Sequence, residues 1–439
     1  TLAPMSIYLD TDAARNCFIA VFGFESSRIA QGIIDPRPGI KVSPEGTSTE
    51  SKAKSVSNCG ATAMEDMQTI PQSDGSYYFK KFRETAENAG YITGLTYQPL
   101  PYDFRLSYQS NELNRRFKGV ISELSNNLGK KVTIYAHSFG NLNTVHNLVK
   151  NMSQAEKDKY IARYIALAPP FLGSPRATEG QIGLDNSLAQ ELIFAEVGVT
   201  AAMQEHTVGL MKGLFNLMPK NTFKKWANSS WMRALQQRID AEKHGKRFDT
   251  STVLNLFPQP TASCLPGFSS RDEFCNFGFV DMSIFGKVED YYVSWDTIES
   301  IFQKYATVEH SDVVWKSVQD NLFEDLPNTG VQTSIVFSGS MNTMSYFEFD
   351  ENPKLKTSQG KYVMPTFELT HHGDGVVLST SALVAGIKWA DDFKNKAANS
   401  KPVNMVEVCS TYQRRSDIFT PGKKVVEDNA YFGIDCECG

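Results

Sequence analysis

Histidine is missing from the end of this chain: all seven lie at or before position 372, and residues 375–439 contain none. Long apolar runs are missing as well. No stretch reaches the roughly 18 residues that a membrane-spanning helix needs, which excludes that kind of span. Charge of one sign is not concentrated anywhere; a net charge of -5 with scattered Lys and Arg leaves no basic stripe and excludes a nucleic-acid partner. No internal repeat is visible. The first residues, Thr1-Leu2-Ala3-Pro4, hold neither an initiator Met nor a signal peptide, which suggests that something was removed or is absent from this chain. Cysteine is sparse and odd in number, with seven at 17, 59, 264, 275, 409, 436 and 438. Cys264 and Cys275 have the separation of a small disulfide-closed loop in an oxidising lumen; free buried thiols in a cytosolic protein are the alternative. Cys436-Glu437-Cys438 is too tightly spaced for zinc.

What is present suits a large globular protein. With 439 residues, 41% apolar and 21% charged, the chain can bury a sizeable core, and one α/β domain with an insertion fits better than two independent domains. Residues 40–76 are rich in Ser, Thr, Gly, Asn and Pro and read as a long surface loop or flap. Helical spacing predicts helices over 78–90 and 111–128, the second stopping at Gly129. Short strands are expected at 95–99, 131–136, 161–168, 334–337 and 362–369, and a final helix at 381–394. Strand and helix alternating in this way predicts a mostly parallel sheet between helices. The middle is Met- and aromatic-rich, has helical patches at 189–217 and 230–244, and shows no clear strand. The expected division is therefore a first core part at 1–175, a helical cap or lid at 176–330 and a second core part at 331–439.

The most informative stretch is Ala136-His137-Ser138-Phe139-Gly140. A β-rich run precedes it and a helical run follows, the setting in which a serine is presented on a sharp strand-to-helix turn as a nucleophile. Such a turn is strained, so small residues are expected two positions either side, here Ala136 and Gly140. The backbone N–H of Phe139, at the helix start, would face a developing oxyanion. Taken alone, a small-x-Ser-x-Gly pattern occurs by chance in many proteins, and only the flanking strand and helix give it weight.

Asp374 lies between two glycines after an edge-like strand. In a chain ordered Ser, Asp, His it stands where the acid of a catalytic triad would be, holding an imidazole in the right tautomer. A turn aspartate capping the next segment is the plainer alternative. No histidine follows it. His137 adjoins the serine and should point away, His371 and His372 are too close to Asp374 in sequence, and His310 reads as a surface or cap residue in the wrong chain order.

Four blocks together resemble the lecithin:cholesterol acyltransferase family, which includes lysosomal phospholipases and protist relatives. They are Tyr102-Asp103-Phe104-Arg105-Leu106, the serine turn some thirty residues later, Leu167-Ala168-Pro169-Pro170-Phe171-Leu172-Gly173-Ser174, and His372-Gly373-Asp374-Gly375-Val376. The similarity covers 5 to about 195 and 330 to 410 and is weak between them.

The resemblance implies an α/β-hydrolase fold with a membrane-facing cap and lid. It implies a lipid acyl hydrolase or O-acyltransferase cleaving glycerophospholipid esters, with Ser138 as nucleophile, Asp374 as acid, and water or a lipid or sterol alcohol as acceptor. No cofactor or metal is implied. The first oxyanion donor would be a backbone N–H in 40–46, where Glu45 matches the donor position. Relatives start with an apolar strand upstream of this chain's first residues, and the cysteine matching Cys17 pairs further upstream still. The expectation is thus a longer or nicked protein whose first strand and triad histidine lie outside these 439 residues, beyond Gly439 or on a second fragment. Its place would be secreted, or in an endolysosomal or vesicular lumen, peripheral to a lipid surface. The apolar stretch 208–218 could be a lid resting on lipid, or a core helix of the cap. The competing reading is a catalytically inactive relative that binds lipid or serves as a structural subunit.

Overall fold

The computed structural model describes residues 41–42, 48–49, 80–92, 95–98, 100, 102, 106–109, 113–183, 212–221, 282–307, 309–319, 322–339, 341–355, 363 and 365–408. In chain order the elements are β1 Lys41–Val42, β2 Ser48–Thr49, α1 Lys80–Asn88, α2 Leu113–Leu128, β3 Val132–His137 and α3 Gly140–His146, which runs into a π-helical turn at Asn147–Asn151. Next come α4 Gln154–Tyr160, β4 Ile161–Leu167, α5 Pro175–Ile182, α6 Lys212–Asn216, β5 Ile284–Val288 and β6 Tyr291–Ser294. The series ends with α7 Ile298–Tyr305, α8 Ser311–Ser317, α9 Leu322–Asp325, β7 Thr333–Phe337, β8 Met341–Phe349, β9 Thr366–Gly373, α10 Ser379–Lys394 and β10 Val403–Glu407.

Local chemistry accounts for the helices that matter here. In α2 the buried residues Leu113, Phe117, Ile121 and Leu124 recur at three- and four-residue spacing and form one apolar stripe. Helix α4 starts with a reciprocal cap: Ser153 accepts from the Glu156 N–H while the Glu156 carboxylate accepts from the Ser153 N–H.

Strands β10, β7, β4 and β3 lie side by side in that order, all parallel. Helices α2, α3, α4 and α10 pack on this sheet. This is the α/β-hydrolase class of architecture expected from the sequence. A second four-stranded sheet has the order β6, β5, β8, β9; β5 runs parallel to β8 and its other pairings are antiparallel. Helix α10 joins the two. It begins just after β9, packs on β7, β10 and β9, and is buried at every residue from 379 to 390.

Two sequence expectations need correction. The middle of the chain is not free of strands: β5 and β6 form a hairpin there, with Val288 and Val293 buried against the core. Residues 95–98 are a turn, because the N–H groups of Leu95, Thr96 and Tyr97 all return to the Ile92 carbonyl. The expected final helix is α10, and among the described residues a strand, β10, follows it. Its Val-Asn-Met-Val-Glu alternation is short, and it pairs along its whole length with β7. Of the two readings open for 208–218, the described residues from 212 onward fit the core helix. Phe215 and Met218 are fully buried, and a Cβ on Gly173, whose φ is +80°, would stand 2.1 Å from the Met218 carbonyl oxygen. Among the described residues no helix is long and apolar enough to cross a membrane. The expected helix at 230–244, all seven cysteines and Asp103–Arg105 of the Tyr102 block lie outside the described residues.

Candidate active site

Strand β3 ends at His137 and α3 begins at Gly140, so the chain must reverse its direction within two residues. Ser138 absorbs the change with φ at +49°, a left-handed conformation that side chains other than glycine rarely adopt. Phe139 is already helical, at φ −56° and ψ −27°. The Ser138 N–H donates to the Leu167 carbonyl at the end of β4, and its own carbonyl accepts from the Asn141 N–H, both at 3.0 Å. Among the described residues nothing bonds the Ser138 hydroxyl, and no acceptor takes up the Phe139 N–H. A serine hydroxyl and an N–H at a helix start are thus presented together at the carboxyl edge of a parallel sheet.

The small residues flanking the turn are not forced by contact. A Cβ on Gly140 would lie 3.7 Å from the Tyr102 hydroxyl and 3.9 Å from the Ala136 methyl, an ordinary separation. The Tyr102 ring packs on Phe139 with centroids 5.8 Å apart, which places the first residue of the Tyr102 block directly over the turn.

Asp374 follows β9, the edge strand of the second sheet. Its Oδ1 accepts from the N–H groups of Val376 at 2.9 Å and Val377 at 2.7 Å. No side chain among the described residues bonds to it. Burial pushes its carboxyl above the usual aspartate range, and the two N–H donors only partly offset this. Three neighbours pin the loop: Thr343 Oγ1 accepts from the Gly375 N–H, the Ser174 hydroxyl donates to the Val376 carbonyl, and the Ser379 hydroxyl donates to that of His372. Ser174 matters most for geometry. It ends the loop that starts at Leu167, the residue bonded to Ser138, so one seven-residue segment at 168–174 runs from the serine turn to the aspartate loop.

The histidines are placed as follows. His137 alternates with Ala136 along β3 and leaves on the opposite face; burial drives its imidazole down to about 4, which keeps it neutral. The His146 ring packs against Tyr108. His310 occupies a left-handed turn before α8, with its Nε2 4.0 Å from the exposed Glu309 carboxylate. His371 and His372 lie on β9. Glu45 is outside the described residues; β1 and β2, which flank it, pair antiparallel. Among the described residues no group of His, Cys, Asp and Glu could hold a metal ion. The sequence motifs do not single out Asn141 and Thr343, which brace the two loops; an asparagine directly after Gly140 is the only signal for the first.

Comparison with known proteins completes the picture. Residues 37–417 match the family model described as lecithin:cholesterol acyltransferase. A phosphatidylcholine-sterol acyltransferase of Gallus gallus is 32% identical over 109 residues, 25% of this chain and 26% of that protein. The Homo sapiens protein of that name is 28% identical over 146 residues, 33% and 30% of the two chains. A lysosomal phospholipase A and acyltransferase of Bos taurus is 26% identical over 162 residues, 37% and 39%. The chain thus spans only about a quarter to two-fifths of the length of these relatives. With most of its residues matched by that model, the chain belongs to the lecithin:cholesterol acyltransferase family.

Proposed function

We propose that this protein is a lipid acyl hydrolase or O-acyltransferase that cleaves glycerophospholipid acyl esters through an acyl-serine. The observation that carries the reading is the left-handed Ser138 between β3 and α3, with its hydroxyl unbonded and the Phe139 N–H beside it. The names of the relatives, phosphatidylcholine-sterol acyltransferase and lysosomal phospholipase A and acyltransferase, support the substrate class.

In this mechanism Ser138 Oγ attacks the ester carbonyl while a histidine takes its proton. The negative charge moves to the carbonyl oxygen, where the N–H groups of Phe139 and Glu45 receive it. Collapse of the tetrahedral intermediate breaks the bond to the glycerol oxygen, which leaves with the proton from the imidazole. Water or a lipid or sterol alcohol then attacks the acyl-enzyme, giving a fatty acid or a new ester and restoring Ser138. Asp374 orients the imidazole and stabilises its charged form. The protein works at a lipid surface as a peripheral enzyme of a secreted or endolysosomal compartment, in three parts at 1–175, 176–330 and 331–439.

The test is covalent labelling of the native protein, with every polypeptide segment present, by a fluorophosphonate, followed by peptide mapping. Label on Ser138, lost in Ser138→Ala, together with fatty acid released from phosphatidylcholine vesicles, is the expected result. An acylated alcohol formed when one is added marks the transferase. An unlabelled Ser138 with no product would leave an inactive lipid-binding relative.

A further inference from the structure

The serine turn is held from beneath by a side chain with no part in the proposed proton transfers. Asn141 is fully buried. Its Nδ2 donates to the Ser138 carbonyl and to the Leu167 carbonyl, each at 2.9 Å. Its Oδ1 accepts from the hydroxyl of Tyr164, at 2.7 Å, and Tyr164 is itself fully buried on β4. The Leu167 carbonyl also receives the Ser138 N–H, so both backbone polar groups of Ser138 are clamped to β4 or to Asn141.

The chemistry leaves one orientation for this amide. Each of the two carbonyls already takes one backbone N–H, and the second bond to each can come only from Nδ2, while the Tyr164 proton finds its acceptor in Oδ1. A left-handed serine costs about as much as two hydrogen bonds return, so the two donated by Asn141 are of the right size to hold it. Released from them, the turn can relax and carry the hydroxyl away from the Phe139 N–H.

We propose that Asn141 is a positioning residue that keeps Ser138 in its reactive conformation, with Tyr164 setting the direction of the amide. The proposal rests on Ser138 being the nucleophile. In the full chain, Asn141→Ala should slow fluorophosphonate labelling of Ser138 by about tenfold or more, and Tyr164→Phe by about fivefold. KM for phosphatidylcholine vesicles should stay unchanged, because neither residue meets lipid. Asn141→Asp adds a readout that loss of packing would not produce. Its carboxylate cannot donate to two carbonyls, so its rate relative to wild type should rise as the pH falls and the acid is protonated. Wild-type rates in folded Tyr164→Phe and Asn141→Asp, with no pH-dependent ratio, overturn the proposal even if Asn141→Ala does not fold. Labelling of the wild type at a residue other than Ser138 defeats the nucleophile reading, and this inference with it.

Discussion

A buried carboxylate stays charged only if donors replace the water it has lost. Asp374 has two, the N–H groups of Val376 and Val377, and its carboxyl is still raised above the ordinary range by burial. A raised value means that the native state holds a proton the unfolded chain has already released. Stability therefore falls as pH rises through that window, and the cost persists at neutral pH. Asp374→Asn removes the charge while its side-chain oxygen still accepts both N–H bonds. Its melting temperature at pH 7 should equal or exceed that of wild type, while phospholipid hydrolysis falls by about 10³–10⁴-fold because the histidine loses its orientation. Reduced melting with full activity would make Asp374 a turn cap and nothing more.

At the scale of elements, the aspartate loop depends on how β9 leaves β8. The pairing register shifts twice along these strands, and Gly373 ends opposite Met341 with no room for a side chain. A Cβ there would stand 2.3 Å from Thr343 Oγ1, which accepts the Gly375 N–H, and 2.6 Å from the Val377 carbonyl oxygen. Gly373→Ala should thus displace the Asp374 loop, costing about 2–3 kcal/mol in urea denaturation and most of the activity. Gly140→Ala, where the added methyl meets only ordinary contacts, should change stability by less than about 1 kcal/mol and leave Ser138 labelling intact. A reversed order of these two variants would refute this account. The sequence patterns of β3, β4, α2 and α10 showed those elements within a few residues, because each carries its own period and its own ends. They did not show β10, or that the hairpin β5–β6 exists, because five-residue strands take their stability from partners far away in the chain.

Across the whole molecule, the two sheets are tied through α10 and through the 168–174 loop, which is bonded at one end to the Ser138 turn and at the other to the loop that carries Asp374. His137 ends β3 next to Ser138, and its value drops from 6.5 to about 4 because it is buried. Between those two values the unfolded chain binds a proton that the native protein does not. Stability is complete above about pH 6.5 and declines as pH falls towards 4, by up to about 3 kcal/mol, opposite in sign to Asp374. His137→Gln should flatten the stability curve between pH 6.5 and 4 when both proteins are denatured with urea across that range. Parallel curves would mean that the imidazole is already exposed in the folded protein.

Reading residues in order was enough to identify the serine turn, its flanking strand and helix, and the aspartate between glycines, while the family rested on the resemblance of four blocks to known members. Those features are local: they depend on spacing, on small residues and on periods of two and 3.6 that any window of the chain displays. The positive φ at Ser138, the Tyr164–Asn141 brace, the burial that raises Asp374 and lowers His137, and the loop joining the two sites are of another kind. Each depends on which distant segment fills the space around a residue, so Asn141 gains its meaning from β4, twenty-three positions away, and Asp374 from Ser174 and Thr343. Desolvation and close contact are properties of the packed core, and they exist only once the chain has closed around them.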